Sequence, residues 1–105
     1  MGMARFRKLV VTADGTTNQT GWCSCKRGGF VTLEGSFVAN VTLQRRGADG
    51  AIIDVTDAAG GAVVLTLPGT YPIDTGFTQG EYRLNCKSGQ FTSGPMTMMV
   101  EGQST

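Results

Sequence analysis

The sequence predicts an all-β protein, an antiparallel β-sandwich or jelly roll of about seven to nine short strands. Three observations support this fold class. The chain has 105 residues, which fits a single domain. Apolar and polar residues alternate along several segments with a period of two, as in strands that bury one face. Sixteen glycines, many beside Asp, Ser or Pro, separate these segments and favour tight turns.

The strongest alternation spans residues 37–45 and assigns a face to each side chain. The face predicted to lie in the core comprises Phe37, Ala39, Val41 and Leu43. The face predicted to meet water comprises Val38, Asn40, Thr42 and Gln44. Residues 79–87 and 96–101 alternate in the same way, which is typical of half-buried antiparallel strands.

The remaining predicted strands are weaker, because each is short or interrupts the alternation. In chain order they are residues 5–12, 30–34, 51–55, 63–67 and 71–74. Pro72 places the last of them at a sheet edge or a bend. Taken over all segments, the predicted core comprises Phe37, Val41, Leu43, Ile53, Val55, Leu65, Leu67, Tyr82, Leu84, Met98 and Val100.

The composition of the chain changes near residue 20. Before this point a basic, strand-like piece is followed by a polar stretch, whereas the segments with clear alternation come after it. We therefore expect residues 1–20 to form an N-terminal arm or an edge strand. Residues 21–105 are expected to form the β-sandwich domain.

The composition argues against several functional classes. The chain has no histidine, so Ser-His-Asp and Cys-His catalysis and histidine-dependent zinc sites are impossible within it. A net charge of +1 and a pI near 7.7 argue against a nucleic-acid binder. No apolar run has the length of a membrane span, and no secretory signal is present, so synthesis in a cytoplasm is expected. We predict that the protein is not an enzyme and uses no cofactor.

Three cysteines leave more than one interpretation open. Cys23, Cys25 and Cys86 are an odd number, which does not suit a disulfide framework. Buried, reduced thiols are the favoured interpretation. The alternatives are a disulfide from Cys86 to one of the pair, or a metal site that lacks its fourth ligand.

Five aspartates are candidates for calcium ligands or for paired catalytic carboxylates. Asp14, Asp49, Asp54, Asp57 and Asp74 all fall in predicted turns or loops. The ligand spacing of a calcium loop is missing, and nothing indicates a carboxylate pair in a cleft. The sequence therefore predicts turn aspartates that bond their own backbone, and no metal site.

Surface contacts are expected from three parts of the chain. Met99 alternates out of phase with its neighbours Met98 and Val100, so it should face solvent in a monomer. Trp22 is either a core or interface anchor or a platform for a sugar ring. The residues predicted to touch a capsid or another partner are Arg5, Phe6, Arg7, Lys8, Trp22 and Met99.

From residue 35 onward, glycine-led segments follow one another along the chain. They read GSFVANVTLQRR, GADGAIIDVTD, GGAVVLTLPGTYPI, GEYRLNCKSG and GPMTMMVEG. This series covers about two thirds of the chain and resembles the small β-sandwich or jelly-roll virion proteins of tailed bacteriophages. Proteins of that group decorate or cement capsids, or build head fibres and other accessory parts.

The resemblance implies a non-enzymatic virion structural protein, most concretely a capsid decoration (cement) protein that stabilises the shell by binding across its subunits. It implies the major capsid protein and further copies of this chain as partners, with a homotrimer favoured. It also implies a location on the capsid surface after synthesis in the host cytoplasm. The alternatives are a small carbohydrate-binding module, a head or tail completion protein, or a fibre component.

Overall fold

The computed structural model describes residues 6–13, 18–25, 28–47, 49–57, 59–73 and 80–103, with the backbone alone for 6–8 and 103. These residues form eleven strands and no helix, and nothing in them could cross a membrane as a helix. The strands are β1 (Phe6–Ala13), β2 (Cys23–Cys25), β3 (Gly29–Glu34), β4 (Val38–Ala39), β5 (Val41–Arg46), β6 (Ile52–Asp54), β7 (Val64–Leu65), β8 (Gly69–Ile73), β9 (Gly80–Asn85), β10 (Phe91–Ser93) and β11 (Met96–Gln103).

The strands form two main antiparallel sheets. Sheet A has the order β1-β11-β3-β8. Sheet B has the order β2-β9-β5-β6, and β7 also pairs with β5. A two-stranded sheet joins β10 to β4. The architecture is therefore an all-β sandwich, as the alternation predicts, with more strands than expected because several are only two or three residues long.

The core lies between the two sheets, and sheet A contacts sheet B through β11 against β2 and β9 and through β1 against β2. Alternate residues of β3 and β11 point inward, and those with apolar side chains are all buried. Of the predicted core residues, Val41, Leu43, Leu65, Tyr82, Leu84, Met98 and Val100 are buried. Phe37 and Val55 are partly buried against the same cluster.

Two predicted core residues lie outside the core. Ile53 is 52% exposed, because β6 is at the edge of sheet B whereas sheet A covers β2 and β9. Leu67 is 67% exposed, because β7 ends at Leu65 and Leu67 begins the bend that leads to β8. Its carbonyl accepts a hydrogen bond from the Tyr71 hydroxyl in that bend. Alternation predicts a side chain's direction, but its burial depends on what lies opposite.

The predicted strand over residues 37–45 is divided in two. Val38–Ala39 pairs with β10, whereas Val41–Arg46 enters sheet B. Between them, the backbone N–H of Asn40 donates to the Gln90 carbonyl. The chain therefore passes from one sheet to another at Asn40.

β1 is an edge strand of sheet A and pairs with β11 over its whole length, from Phe6 opposite Gln103 to Ala13 opposite Met96. A division of the chain at residue 20 remains a prediction.

A pair of glycines allows β2 to approach sheet A closely. Gly29 and Gly102 lie opposite each other on β3 and β11. A β-carbon on Gly102 would be 2.5 Å from the Ser24 carbonyl oxygen and 2.6 Å from the Cys25 Sγ. A β-carbon on Gly29 would be 2.9 Å from the same sulfur. Because the two glycines have no side chains, the cysteines of β2 fit into the space beside them.

Gly102→Ala should lower the free energy of unfolding by about 1–3 kcal/mol, since the added methyl group overpacks this contact. Urea unfolding followed by circular dichroism measures the change. Gly61→Ala is the matched control, because its β-carbon would meet Asp57 at an ordinary 3.6 Å. We expect the control to stay within about 0.5 kcal/mol of the parent. Equal stability of the two variants would contradict the packing described here.

Candidate functional site

A buried amide organises the outer face of sheet B. Gln44 lies on the central strand β5 and is only 6% exposed. Its Nε2 donates to Asp54 Oδ1 on β6 at 2.9 Å. Its Oε1 accepts from Arg83 Nε at 2.8 Å and from Asn85 Nδ2 at 3.1 Å, both on β9. This one side chain therefore joins three neighbouring strands across their outer face.

The face of β5 that the sequence predicts to meet water is thus largely shielded from solvent. Thr42 and Gln44 have the predicted outward direction, but each is only 6% exposed. β5 has strands on both sides, and longer polar side chains from β9 and β6 meet over it. A central position, rather than the polarity of β5 itself, excludes water from this face.

Asp54 belongs to this network and does not lie in a turn, which corrects the sequence-based expectation. It is on β6, where its Oδ2 is 2.5 Å from Lys87 Nζ. The hydrogen bond from Lys87, followed by the one from Gln44, lowers the pKa of the Asp54 carboxyl. The carboxylate therefore stays charged and helps to hold the Gln44 amide.

Trp22 contacts two arginines at the edge of the same face. The Cζ atoms of Arg83 and Arg46 lie 4.5 and 4.7 Å from the centroid of its ring. These distances are those of cation–π contacts. We call Trp22, Arg46 and Arg83 the tryptophan–arginine cluster. Because both guanidinium groups lie over the ring, this geometry does not favour the sugar-platform interpretation of Trp22.

A bulge places Trp22 in this position. Cys23 is opposite Tyr82, whereas Gln19 is opposite Asn85. The intervening segment on the Trp22 side is therefore one residue longer than its partner segment on β9. Such an extra residue redirects a side chain locally. Trp22 is half-buried at this point, immediately before β2.

Arg46 has a carboxylate partner, whereas the described partner of Arg83 is neutral. Arg46 donates through Nε and Nη2 to Glu81 Oε1, at 3.2 and 2.9 Å. Arg83 donates to the Gln44 amide. Burial, followed by repulsion from Arg46, lowers the pKa of Arg83. An arginine nevertheless remains charged in a protein, so the cluster holds a guanidinium that no described carboxylate neutralises.

The outer face of sheet A has a different chemistry. Met99 is half-buried there, opposite Val10 on β1 and Thr32 on β3. Val10 and Phe30 are each 50% exposed on this face. We call Val10, Phe30 and Met99 the apolar strip. Alternation along β3 separates Phe30 from Val31 and Leu33, but which face is outward becomes clear only from the structure, as does the outward direction of Val10.

The predicted contact residues do not form one site. Met99 is on the outer face of sheet A, whereas Trp22 is on the outer face of sheet B. Arg5 lies outside the described residues. Phe6, Arg7 and Lys8 belong to β1, but their side chains lie outside the described part. Arg46, Arg83 and Gln44 are not among the predicted contact residues. Alternation gives Gln44 and Arg83 an outward direction, and Arg46 follows the first alternating segment, but no local pattern brings the three together.

All three cysteines are buried, and none is in a disulfide. Cys23 and Cys25 face the core from β2, while Cys86 follows β9, where its N–H donates to the Asn18 carbonyl. Burial, with a smaller contribution from Cys23, raises the pKa of Cys25 to about 12. Burial also raises the pKa of Cys86. The structure therefore contains reduced thiols rather than a disulfide.

Turn aspartates bond their own backbone. Asp49 Oδ1 accepts from the Ala51 N–H, and Asp57 Oδ1 accepts from the Ala59 and Gly61 N–H groups. Asp14 and Asp74 lie outside the described residues. Within the described ranges, no group of three or more cysteine and acidic residues could hold a metal ion.

Comparisons with known proteins do not place the chain in a family. No family model matches it, and neither a curated protein nor a solved structure is significantly similar to it. The function of the chain therefore has to be inferred from its own surfaces.

Unfolding should become easier above pH 9 because of the buried thiols. An unfolded cysteine ionises near its ordinary pKa of 9.0, whereas folded Cys25 holds its proton to about 12. The stabilisation from Cys25 is therefore complete below pH 9 and is lost as the pH rises towards 12. Urea unfolding at pH 8 and at pH 10 should show a loss of about 1 kcal/mol from this residue.

Cys25→Ala provides the control for that measurement. The variant should be less stable at both values of pH, because a buried side chain is truncated. Its stability should nevertheless fall less between pH 8 and 10 than that of the parent. An identical fall in parent and variant would show that Cys25 ionises equally in the folded and unfolded states.

Proposed function

We propose that this protein is a non-enzymatic structural component of a tailed-phage virion, a capsid decoration protein that binds across shell subunits and stabilises the shell. The observation that carries this proposal is the apolar strip. A regular outer sheet face that exposes Val10 and Phe30, each by half, favours a contact with another protein surface. The resemblance of residues 35–102 to small virion sandwich proteins supplies the kind of partner.

In this proposal, the two outer faces have separate tasks. Copies of the chain pack through the apolar strip into a closed oligomer, with a trimer favoured. The outer face of sheet B is then left for the shell, where its charged cluster meets the major capsid protein. Each copy adds buried area between neighbouring shell subunits, and this added area resists their separation.

Self-association is the part of the proposal that the purified chain can test. Light scattering coupled to gel filtration should find a trimer for the parent protein. Val10→Asp should shift it towards the monomer, since a carboxylate would have to be buried in the contact. Val38→Asp is the matched control. Val38 is 59% exposed on β4, which pairs with β10 and not with the strands of the strip, so this variant should leave the trimer intact.

A second experiment tests whether the protein is part of the virion. Particles purified from a culture that carries the gene should contain the protein in a fixed ratio to the shell subunit, as measured by quantitative mass spectrometry. Its absence from the particles would contradict the virion assignment. A parent protein that is a strict monomer at all concentrations would contradict the role of the apolar strip.

A further inference from the structure

The outer face of sheet B has one positive charge in excess among its described side chains. Arg46, Arg83 and Lys87 supply three cations, whereas Glu81 and Asp54 supply two carboxylates. The ion pairs Arg46–Glu81 and Lys87–Asp54 account for both carboxylates. The excess charge therefore belongs to Arg83.

Arg83 is held in place with hydrogen-bonding capacity to spare. Its side chain is bonded to a described residue through Nε, which donates to Gln44. A guanidinium has five N–H donors in a planar fork, so, as far as the described residues go, the donors at the Nη end remain for a ligand. The contact with Trp22 and the bond to Gln44 together fix the plane of this fork before any ligand arrives. A donor group that is already oriented loses less entropy on binding.

The charge balance favours a carboxylate over a phosphate as the ligand. A carboxylate carries one negative charge and matches the guanidinium fork through two parallel hydrogen bonds. It would neutralise this face. A phosphate dianion would leave the face with a negative excess, and the carboxylates already present, Glu81 and Asp54, would repel it more strongly than a singly charged carboxylate.

The surroundings of the cluster suit a protein partner. Ile52 lies opposite Arg46 on β6 and is 52% exposed, and Val64 lies opposite Thr42 on β7 and is 44% exposed. By their register, both share the outer face with Gln44. Tryptophan and arginine are enriched among the residues that contribute most to protein interfaces, and such residues are surrounded by contacts that exclude water.

We propose that Arg83, supported by Trp22 and Arg46, is the docking site for an aspartate or glutamate side chain of a protein partner. Apolar partner groups beside that carboxylate would cover Ile52 and Val64. The inference rests on the proposed function in that a shell protein would be the partner. It assigns that partner an acidic side chain flanked by apolar ones.

The test is a titration that uses Trp22, the single tryptophan of the chain, as its own reporter. The probe is a terminally blocked pentapeptide with a central glutamate between two valines, and its comparison is the same peptide with glutamine. The glutamate peptide should give a saturable change in Trp22 fluorescence. It should also bind roughly tenfold more tightly than the glutamine peptide, since charge-assisted hydrogen bonds are lost in the latter.

Two variants distinguish a specific site from general attraction. Arg83→Gln and Lys87→Gln each remove one positive charge from the same face. Arg83→Gln should weaken binding of the glutamate peptide roughly tenfold, whereas Lys87→Gln should change it by less than about threefold. Arg83→Lys should fall between the parent and Arg83→Gln, because it keeps the charge but loses the fork. Circular dichroism confirms that each variant is folded.

Several results would overturn the inference. These are equal affinity for the two peptides, no saturable binding of either, an equal loss in Arg83→Gln and Lys87→Gln, or binding of inorganic phosphate as tight as that of the glutamate peptide. Each is measured on the chain alone. A failure here is therefore distinguishable from a failure of the trimer or of the particle analysis, which test the apolar strip and the location.

Discussion

The buried amide of Gln44 is the interaction on which the outer face of sheet B depends. A buried amide that lost its partners would be costly, so its hydrogen bonds to Asp54, Arg83 and Asn85 hold β5, β6 and β9 in one arrangement. Because Gln44 is neutral, it anchors Arg83 without cancelling its charge. A glutamate at the same position would neutralise Arg83 and repel Asp54. The choice of an amide thus leaves a rigid guanidinium beside Trp22 with its charge available.

The two sheets give the molecule two unlike surfaces. The glycine pair on β3 and β11 lets the cysteines of β2 sit close against sheet A, which brings the sheets together at one end. The side chains that point away from this contact form the apolar strip on one sheet and the tryptophan–arginine cluster on the other. A small protein with two such different faces can contact two neighbours at once.

Much of the fold can be predicted from the alternation of residues, but the candidate site cannot. The inward direction of Tyr82 and Leu84 follows from local pattern alone, and the structure buries both. The burial of Gln44 depends on Arg83, 39 residues further along the chain, so no local pattern contains it. The exposure of Ile53 similarly depends on which strands the opposite sheet covers. Short strands such as β2 are missed because three residues carry too little alternation.

The central claim is that Gln44 positions Arg83 against Trp22, and Gln44→Leu tests it most directly. Leucine has a similar volume but cannot hydrogen-bond. We expect a changed Trp22 fluorescence spectrum and a free energy of unfolding lower by about 1–3 kcal/mol, since the partners of the amide lose their bonds. Unchanged stability together with an unchanged Trp22 spectrum would show that contacts other than those of Gln44 hold the cluster.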